Sequence, residues 1–251
     1  MTNRPLSGRT ALVTGASRGI GRAVVDRLAR EGCNVLAGIR TETPEVVAEL
    51  QRVSDENGVE VTPVRVDLSS ADEAAACAKD IAIAHQIQIL VNNAGIANGS
   101  TFQMTKMSDF RDAFEVNFFS TVALTQIISR KMARGNEGAI VNIGSTAGLN
   151  GDAGTSAYGS SKAALMYVTQ VMARELGPSG IRVNAIAPTI TETDMFWEMT
   201  EESREGLIAG GAIRRAATAS EIAGTVAYLV GPDSQMVTGQ IIRVDGGQRG
   251  R

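Results

Sequence analysis

Thr10-Ala-Leu-Val-Thr14-Gly15-Ala-Ser17-Arg18-Gly19-Ile20-Gly21 is the stretch on which the reading of the whole chain turns. Residues 10–14 are a short apolar run of the kind that forms a buried strand. Residues 21–30 carry an apolar stripe, Ala23, Val24, Leu28 and Ala29, and read as a helix. Gly15, Gly19 and Gly21 stand between the two. Glycine lets the backbone turn tightly and come close to an anion, and the start of the following helix offers unpaired N–H groups and a positive dipole end. A glycine-rich turn alone is only a connector. Placed between a first strand and a first helix, it reads as a pyrophosphate site.

The alternation continues outward from this turn. Strands are expected at 34–40, 61–66 (stopped at Asp67), 87–91 (running into Asn92-Asn93-Ala94-Gly95), 139–143, 181–187 and 240–244. Helices are expected at 44–53, opened by Pro44, at 71–84, at 156–176, closed by Gly177-Pro178, and at 220–230. One long helical stretch is expected over 108–134 with Ser108 as its N-cap, and 191–210 reads as irregular or helical. Near-continuous apolar strands alternating with helices imply α/β architecture: a single doubly wound domain over 1–251, its parallel sheet flanked by helices on both faces. In such sheets ligands bind beyond the carboxyl ends of the strands, so chemistry is sought just after each strand.

Composition excludes several classes. The 251 residues are 43% apolar and 20% charged, as in ordinary globular proteins and unlike disordered ones. A net charge of −3 and 4% aromatic residues disfavour nucleic-acid binding. The one histidine, His85, and the two cysteines, Cys33 and Cys77, are too scattered for a Cys/His zinc site. His85 reads as a surface residue near a helix end, and both cysteines as small buried hydrophobes in a reducing compartment. No metal is required by this reading. No run reaches the roughly 18 apolar residues of a membrane span, and no secretory signal is visible, so a cytoplasmic protein is expected.

The spacing Gly15-x-x-x-Gly19-x-Gly21 resembles the dinucleotide fingerprint of the short-chain dehydrogenase/reductase family, in its classical branch. The resemblance extends through Asn92-Asn93-Ala94-Gly95, Asn117, Ser145, Tyr158-x-x-x-Lys162, Pro188 and Val244-Asp-Gly-Gly247, in the family's order. It implies a seven-stranded Rossmann-type sheet, a nicotinamide cofactor and a homotetramer. The implied cofactor contacts are Gly15, Ser17, Arg18, Gly19, Ile20 and Gly21 in the turn, then Arg40, Asp67 and Leu68 after the second and third strands. Asn93, Ala94, Gly95, Tyr158, Lys162, Pro188, Ile190 and Thr193 complete them. An NAD site usually has an acid at the end of the second strand, where a carboxylate repels a 2′-phosphate. Here that position is Ile39, followed by Arg40, and Arg18 is a second cation expected to converge on the same point, which favours NADP(H).

Tyr158 and Lys162 stand four apart, on one face of their helix. A tyrosine has a reference pKa of about 10, and a nearby ammonium is expected to lower it. Such a tyrosine serves as acid in reduction and base in oxidation. Ser145 follows the strand 139–143 and is placed to hold a substrate carbonyl. Asparagine is a poor helix former, and the resemblance assigns Asn117 to a relay connecting Lys162 with solvent. Together the four residues imply hydride transfer to a carbonyl carbon with Tyr158 as proton donor.

Residues 190–210 are expected to form a substrate lid, with Met195, Phe196, Trp197, Met199, Leu207 and Ile208 as its apolar lining and Glu198 among its acids. Residues 184–195 and the tail 237–247 resemble bacterial 3-oxoacyl-[acyl-carrier-protein] reductases. This points to 3-oxoacyl thioesters carried on acyl-carrier protein or coenzyme A. Those reductases receive the carrier protein with two arginines, which fall at Asn136 and Ser179 here. Other relatives of this look act on alcohols, sugars, polyols or steroids. A sensor or scaffold that keeps the dinucleotide site commonly loses part of the catalytic group, which is complete in this chain.

Overall fold

The computed structural model describes residues 4–197 and 199–248. Glu198 and the side chain of Met195, both assigned above to the lid, lie outside the described residues. The chain alternates β1 (Thr10–Thr14), α1 (Gly19–Arg30), β2 (Asn34–Ile39), α2 (Pro44–Asn57), β3 (Val61–Arg65), α3 (Ala71–Ala84) and β4 (Ile89–Asn92). It continues with α4 (Met107–Phe114), a π-helical turn (Glu115–Ser120), α5 (Thr121–Gly135), β5 (Gly138–Ile143), α6 (Ala147–Asn150), α7 (Ser156–Leu176) and β6 (Ile181–Pro188). The last elements are β7 (Thr191–Glu192), α8 (Asp194–Trp197), α9 (Glu201–Ala209), β8 (Ala217–Thr218), α10 (Ala219–Val230) and β9 (Ile241–Val244).

Seven strands form one parallel sheet in the order β3-β2-β1-β4-β5-β6-β9. The order reverses between β1 and β4, and a crevice opens beyond the strand ends at such a switch point. Side-chain parity builds the two cores. Ala11 and Val13 of β1, Ile89 and Val91 of β4, and Val141 of β5 point to one face, where they meet Val24, Val25 and Leu28 of α1 and Ile222 and Val226 of α10. Their neighbours Leu12, Leu90 and Ile140 point to the other, against Ala78 and Ile81 of α3 and Leu124, Ile128 and Met132 of α5. Each such fully buried leucine or isoleucine contributes about 1.5–3 kcal/mol relative to exposure.

Three expectations are corrected. The stretch 108–134 is not one helix: the π-helical turn divides α4 from α5. Ser108 is not the N-cap, because α4 already begins at Met107, and the Lys106 N–H donates to the Asp109 carboxylate at 3.0 Å. Cys77 is half-buried on α3 rather than a core residue, while Cys33 is fully buried and desolvation pushes its thiol up to about 12. No helix of the described residues is long and apolar enough to cross a membrane.

Candidate active site

The glycine-rich turn leaves β1 at the switch point and is held from both sides. The Ala16 N–H donates to the Gly38 carbonyl at 3.0 Å. Asn93 Nδ2 donates to the carbonyls of Thr14 (2.9 Å) and Gly15 (3.1 Å). Thr14 Oγ1 in turn accepts the N–H groups of Asn93 and Ala94, each at 3.0 Å. The glycines are required by close approach. Gly15 has φ +66° and a Cβ there would meet Ala94 Cα at 2.9 Å, while a Cβ on Gly21 would meet the Gly15 carbonyl oxygen at 2.1 Å. The N-terminus of α1 has no side-chain cap and no acid in its first turn, unlike α2, α3, α9 and α10, which are capped by Thr43, Ser70, Thr200 and Thr218. The bare N–H groups, the positive dipole end and the open backbone fit a pyrophosphate.

The two arginines differ. Arg40, at the end of β2, is exposed and makes no hydrogen bond or ion pair among the described residues. Arg18 does not stand open beside it: its guanidinium is bonded to Asp194 at 2.5 Å. Asp67 accepts the Ser69 N–H at 2.9 Å, and that bond with Arg65 nearby holds its carboxyl below the usual range. Leu68 is buried in the core on the α3 side, and Ile20 packs against the opposite core. The Ile190 carbonyl accepts from Ala217 at 3.0 Å, pairing the segment after β6 with β8. Pro188 accepts the Thr146 N–H at 3.0 Å, which ties β6 to the loop carrying Ser145. Thr193 reaches over the glycine-rich turn, its Cγ2 lying 3.2 Å from where a Cβ on Gly19 would stand.

Ser145, Tyr158, Lys162 and Asn117 come together beyond β4 and β5. Lys162 Nζ donates to the Ile143 carbonyl at 2.8 Å and lies 6.0 Å from the centroid of the Tyr158 ring. Ser145 accepts the Ala147 N–H at 3.1 Å and lies close enough to the Tyr158 phenol to oppose the rise of its pKa. Asn117 is fully buried in the π-helical turn. Its amide pairs with the Ile96 backbone, Oδ1 accepting at 2.8 Å and Nδ2 donating at 2.9 Å. Nδ2 also donates to Ser161 Oγ at 2.9 Å, and that hydroxyl donates to the Tyr158 carbonyl at 2.7 Å. Such π turns recur at functional sites because the extra residue breaks the helical ladder locally.

Electrostatically the pair departs from expectation. Burial lowers the Lys162 ammonium to about 8, and burial raises the Tyr158 phenol above its ordinary value, with the Ser145 bond offsetting part of the rise. The expected depression of the tyrosine by the lysine charge is therefore not seen. Desolvation penalises the charged form of both groups.

Several supporting residues escaped sequence reasoning. Thr14 ends a strand like many threonines, and only the fold shows its hydroxyl bracing the loop after β4. Gly95, which the resemblance places among the cofactor contacts, also makes room for Asn117 and Lys162, and only the fold shows this. Gln248 is buried, accepts from Thr189 Oγ1 at 2.9 Å and reaches the Leu207 carbonyl of α9 at 3.5 Å. No local signal marks it.

A doubly wound sheet with a dinucleotide cradle at its switch point, beside a Ser-Tyr-Lys-Asn cluster, defines a nucleotide-dependent oxidoreductase. The chain belongs to the short chain dehydrogenase family, whose model matches residues 9–204, and it is an oxidoreductase of CH–OH and carbonyl groups. It is 39% identical over 246 residues to the 3-oxoacyl-[acyl-carrier-protein] reductase of Pseudomonas aeruginosa, covering 96% of this chain and 98% of that one. A short chain dehydrogenase of Burkholderia cenocepacia in complex with NADP superposes with a TM-score of 0.89 at 33% identity, over 97% of this chain and 99% of that one. A 7α-hydroxysteroid dehydrogenase complexed with NADH and 7-oxo glycochenodeoxycholic acid gives 0.89 at 34% identity, over 99% and 98%.

Proposed function

We propose that the chain is an NADP(H)-dependent carbonyl reductase whose substrate is a 3-oxoacyl thioester. The observation that carries the reaction is the gathering of Ser145, Tyr158, Lys162 and Asn117 beyond β4 and β5, with Lys162 Nζ 6.0 Å from the Tyr158 ring centroid and bonded to the Ile143 carbonyl. The similarity to 3-oxoacyl-[acyl-carrier-protein] reductases along nearly the whole chain supports the substrate. NADP(H), when bound, supplies the hydride in reduction and takes it up in oxidation. Gly15, Ser17, Gly19, Ile20 and Gly21 hold the pyrophosphate, Arg40 and Arg18 take the 2′-phosphate, and Asp67 and Leu68 flank the adenine. Asn93, Ala94, Gly95, Pro188, Ile190 and Thr193 line the path toward the nicotinamide end.

Ser145 donates to the substrate carbonyl oxygen and fixes its direction. Tyr158 donates its proton to the same oxygen, and its raised pKa keeps that proton in place at neutral pH. Lys162 bonds the cofactor ribose and recharges the tyrosine through its ammonium, and Asn117 holds the loop through which solvent protons return. Residues 190–210 close over the acyl group as the lid.

Uncharged residues, Asn136 and Ser179, occupy the two positions at which the resemblance places the carrier-protein arginines. Asn136 caps α5, and the Gly138 N–H donates to Gly180, one residue beyond Ser179, at 3.2 Å. Both therefore lie where β5 and β6 begin, away from Ser145, so coenzyme A and acyl-carrier protein stand equally as carriers. A second reading, an alcohol or steroid dehydrogenase, is favoured by the aromatic pair Phe196–Trp197 in the lid, with ring centroids 4.7 Å apart. We also assign the protein to the cytoplasm and to a homotetramer. Exposed Met107, Phe119 and Tyr167 lie on α4, the π-helical turn and α7, which adjoin one another. A monomer by light scattering at micromolar concentration overturns the assembly.

NADPH consumption against 3-oxoacyl thioesters on both carriers, diketones, sugars and oxo-steroids tests the reading. Turnover of a thioester at the highest kcat/KM supports it. Turnover only of a sugar or steroid transfers the assignment to the second reading, and turnover of none favours a cofactor-binding sensor.

A further inference from the structure

Of the two cations proposed for the 2′-phosphate, Arg40 makes no hydrogen bond or ion pair among the described residues, whereas Arg18 is engaged. Its Nη1 donates to Asp194 Oδ2 at 2.5 Å, joining the glycine-rich turn to the first residue of α8. Next to this bridge, Thr193 lies against Gly19. The carboxylate of Asp194 offers the guanidinium the same charge and the same acceptor oxygens that a phosphate would. Both side chains are mostly exposed, at 73% and 61%, so the pair is weak and a doubly charged phosphate displaces the carboxylate.

We propose that Asp194 is a specificity-determining residue, which holds Arg18 until a 2′-phosphate claims it and so releases the first helix of the lid for NADPH but not for NADH. The proposal rests on Arg18 as a ligand of the 2′-phosphate. Its consequence is that cofactor identity is communicated to the substrate lid before any substrate binds. The chain carries a reporter for this step. Trp197, the only tryptophan, is on α8 and exposed. Its ring contacts Phe196 and the guanidinium of Arg204 on α9, 5.3 Å from its centroid.

The test measures dissociation constants for NADPH and NADH by calorimetry, and Trp197 emission at saturation, in wild type, Asp194→Asn, Arg18→Ala and the double variant. Asp194→Asn is expected to tighten NADPH by about two- to fivefold, the range of an exposed ion pair, and to leave NADH unchanged. In wild type NADPH changes Trp197 emission more than NADH does, and in Asp194→Asn the difference disappears. With Arg18 already replaced, Asp194→Asn has no further effect on NADPH. An equal gain for both cofactors is bulk electrostatics and overturns the proposal. An unchanged NADPH/NADH ratio in Asp194→Asn, with Arg18→Ala still lowering it, overturns the proposal and leaves Arg18 as the phosphate ligand. An unchanged ratio in Arg18→Ala overturns both.

Discussion

Gly95 and Asn117 approach so closely that a Cβ on Gly95 would stand 2.9 Å from Asn117 Oδ1, and 3.2 Å from Lys162 Nζ. The loop after β4, the π-helical turn and α7 therefore meet at one point with no room for a methyl group. Asn117 is clamped by the Ile96 backbone and Ser161, and Lys162 by the Ile143 carbonyl, so neither yields freely.

Gly95→Ala is expected to push Asn117 and Lys162 off their positions. A misplacement on the order of 1 Å costs about 10²-fold in rate. We expect kcat to fall by that order while the far-ultraviolet circular dichroism stays native. Unchanged kcat would show that the contact is not needed for turnover.

Lys162 gives the fold a pH dependence of determinate sign. Its amine titrates near 10.5 in the unfolded chain and near about 8 when buried. Between those values the unfolded chain binds the extra proton, so stability rises with pH through that window, by a few kcal/mol at about 1.4 per pKa unit. Below about 8 the folded state carries the full cost of a buried charge. Lys162→Met should be more stable than wild type at pH 7 and should lack the rise, as read from denaturant midpoints at pH 7 and 9.5. The raised phenol of Tyr158 acts in the opposite sense only above about 10, where the unfolded chain loses its proton first.

Tyr158→Phe keeps the ring and removes the phenolic hydroxyl. With Tyr158 as proton donor, kcat falls roughly 10²–10⁴-fold and the dissociation constant of NADPH is nearly unchanged. Lys162→Met is expected to weaken NADPH as well as turnover, because the proposed role of its amine is to serve both the tyrosine and the ribose. Wild-type turnover in Tyr158→Phe would remove the tyrosine from the mechanism.

Arg40, proposed as a ligand of the 2′-phosphate, makes no hydrogen bond or ion pair among the described residues, so its replacement should act without an internal rearrangement. Arg40→Asp turns attraction for a 2′-phosphate into repulsion, and NADPH affinity is expected to drop while NADH affinity is kept or improved. Equal dissociation constants for the two cofactors in wild type would refute the assigned preference.

The sequence by itself carried the order of most strands and helices and the glycine-rich turn, because these signals are local, and its resemblance to a family singled out Asn117, Ser145, Tyr158 and Lys162, which the fold brings together. A short apolar run marks β1, three glycines within seven residues mark the turn, and a four-residue step puts Tyr158 and Lys162 on one helix face. Parallel crossovers were needed to decide the rest, since they join residues that no periodicity relates. Thr14 braces Asn93 across 79 residues, Asn117 finds Ser161 across 44, and Asp194 takes Arg18 across 176. The electrostatics belong to this second group. The i, i+4 spacing announces that a lysine attends a tyrosine, but the direction in which each pKa moves depends on how much water the packed sheet and helices exclude, and burial is a property of the folded chain alone.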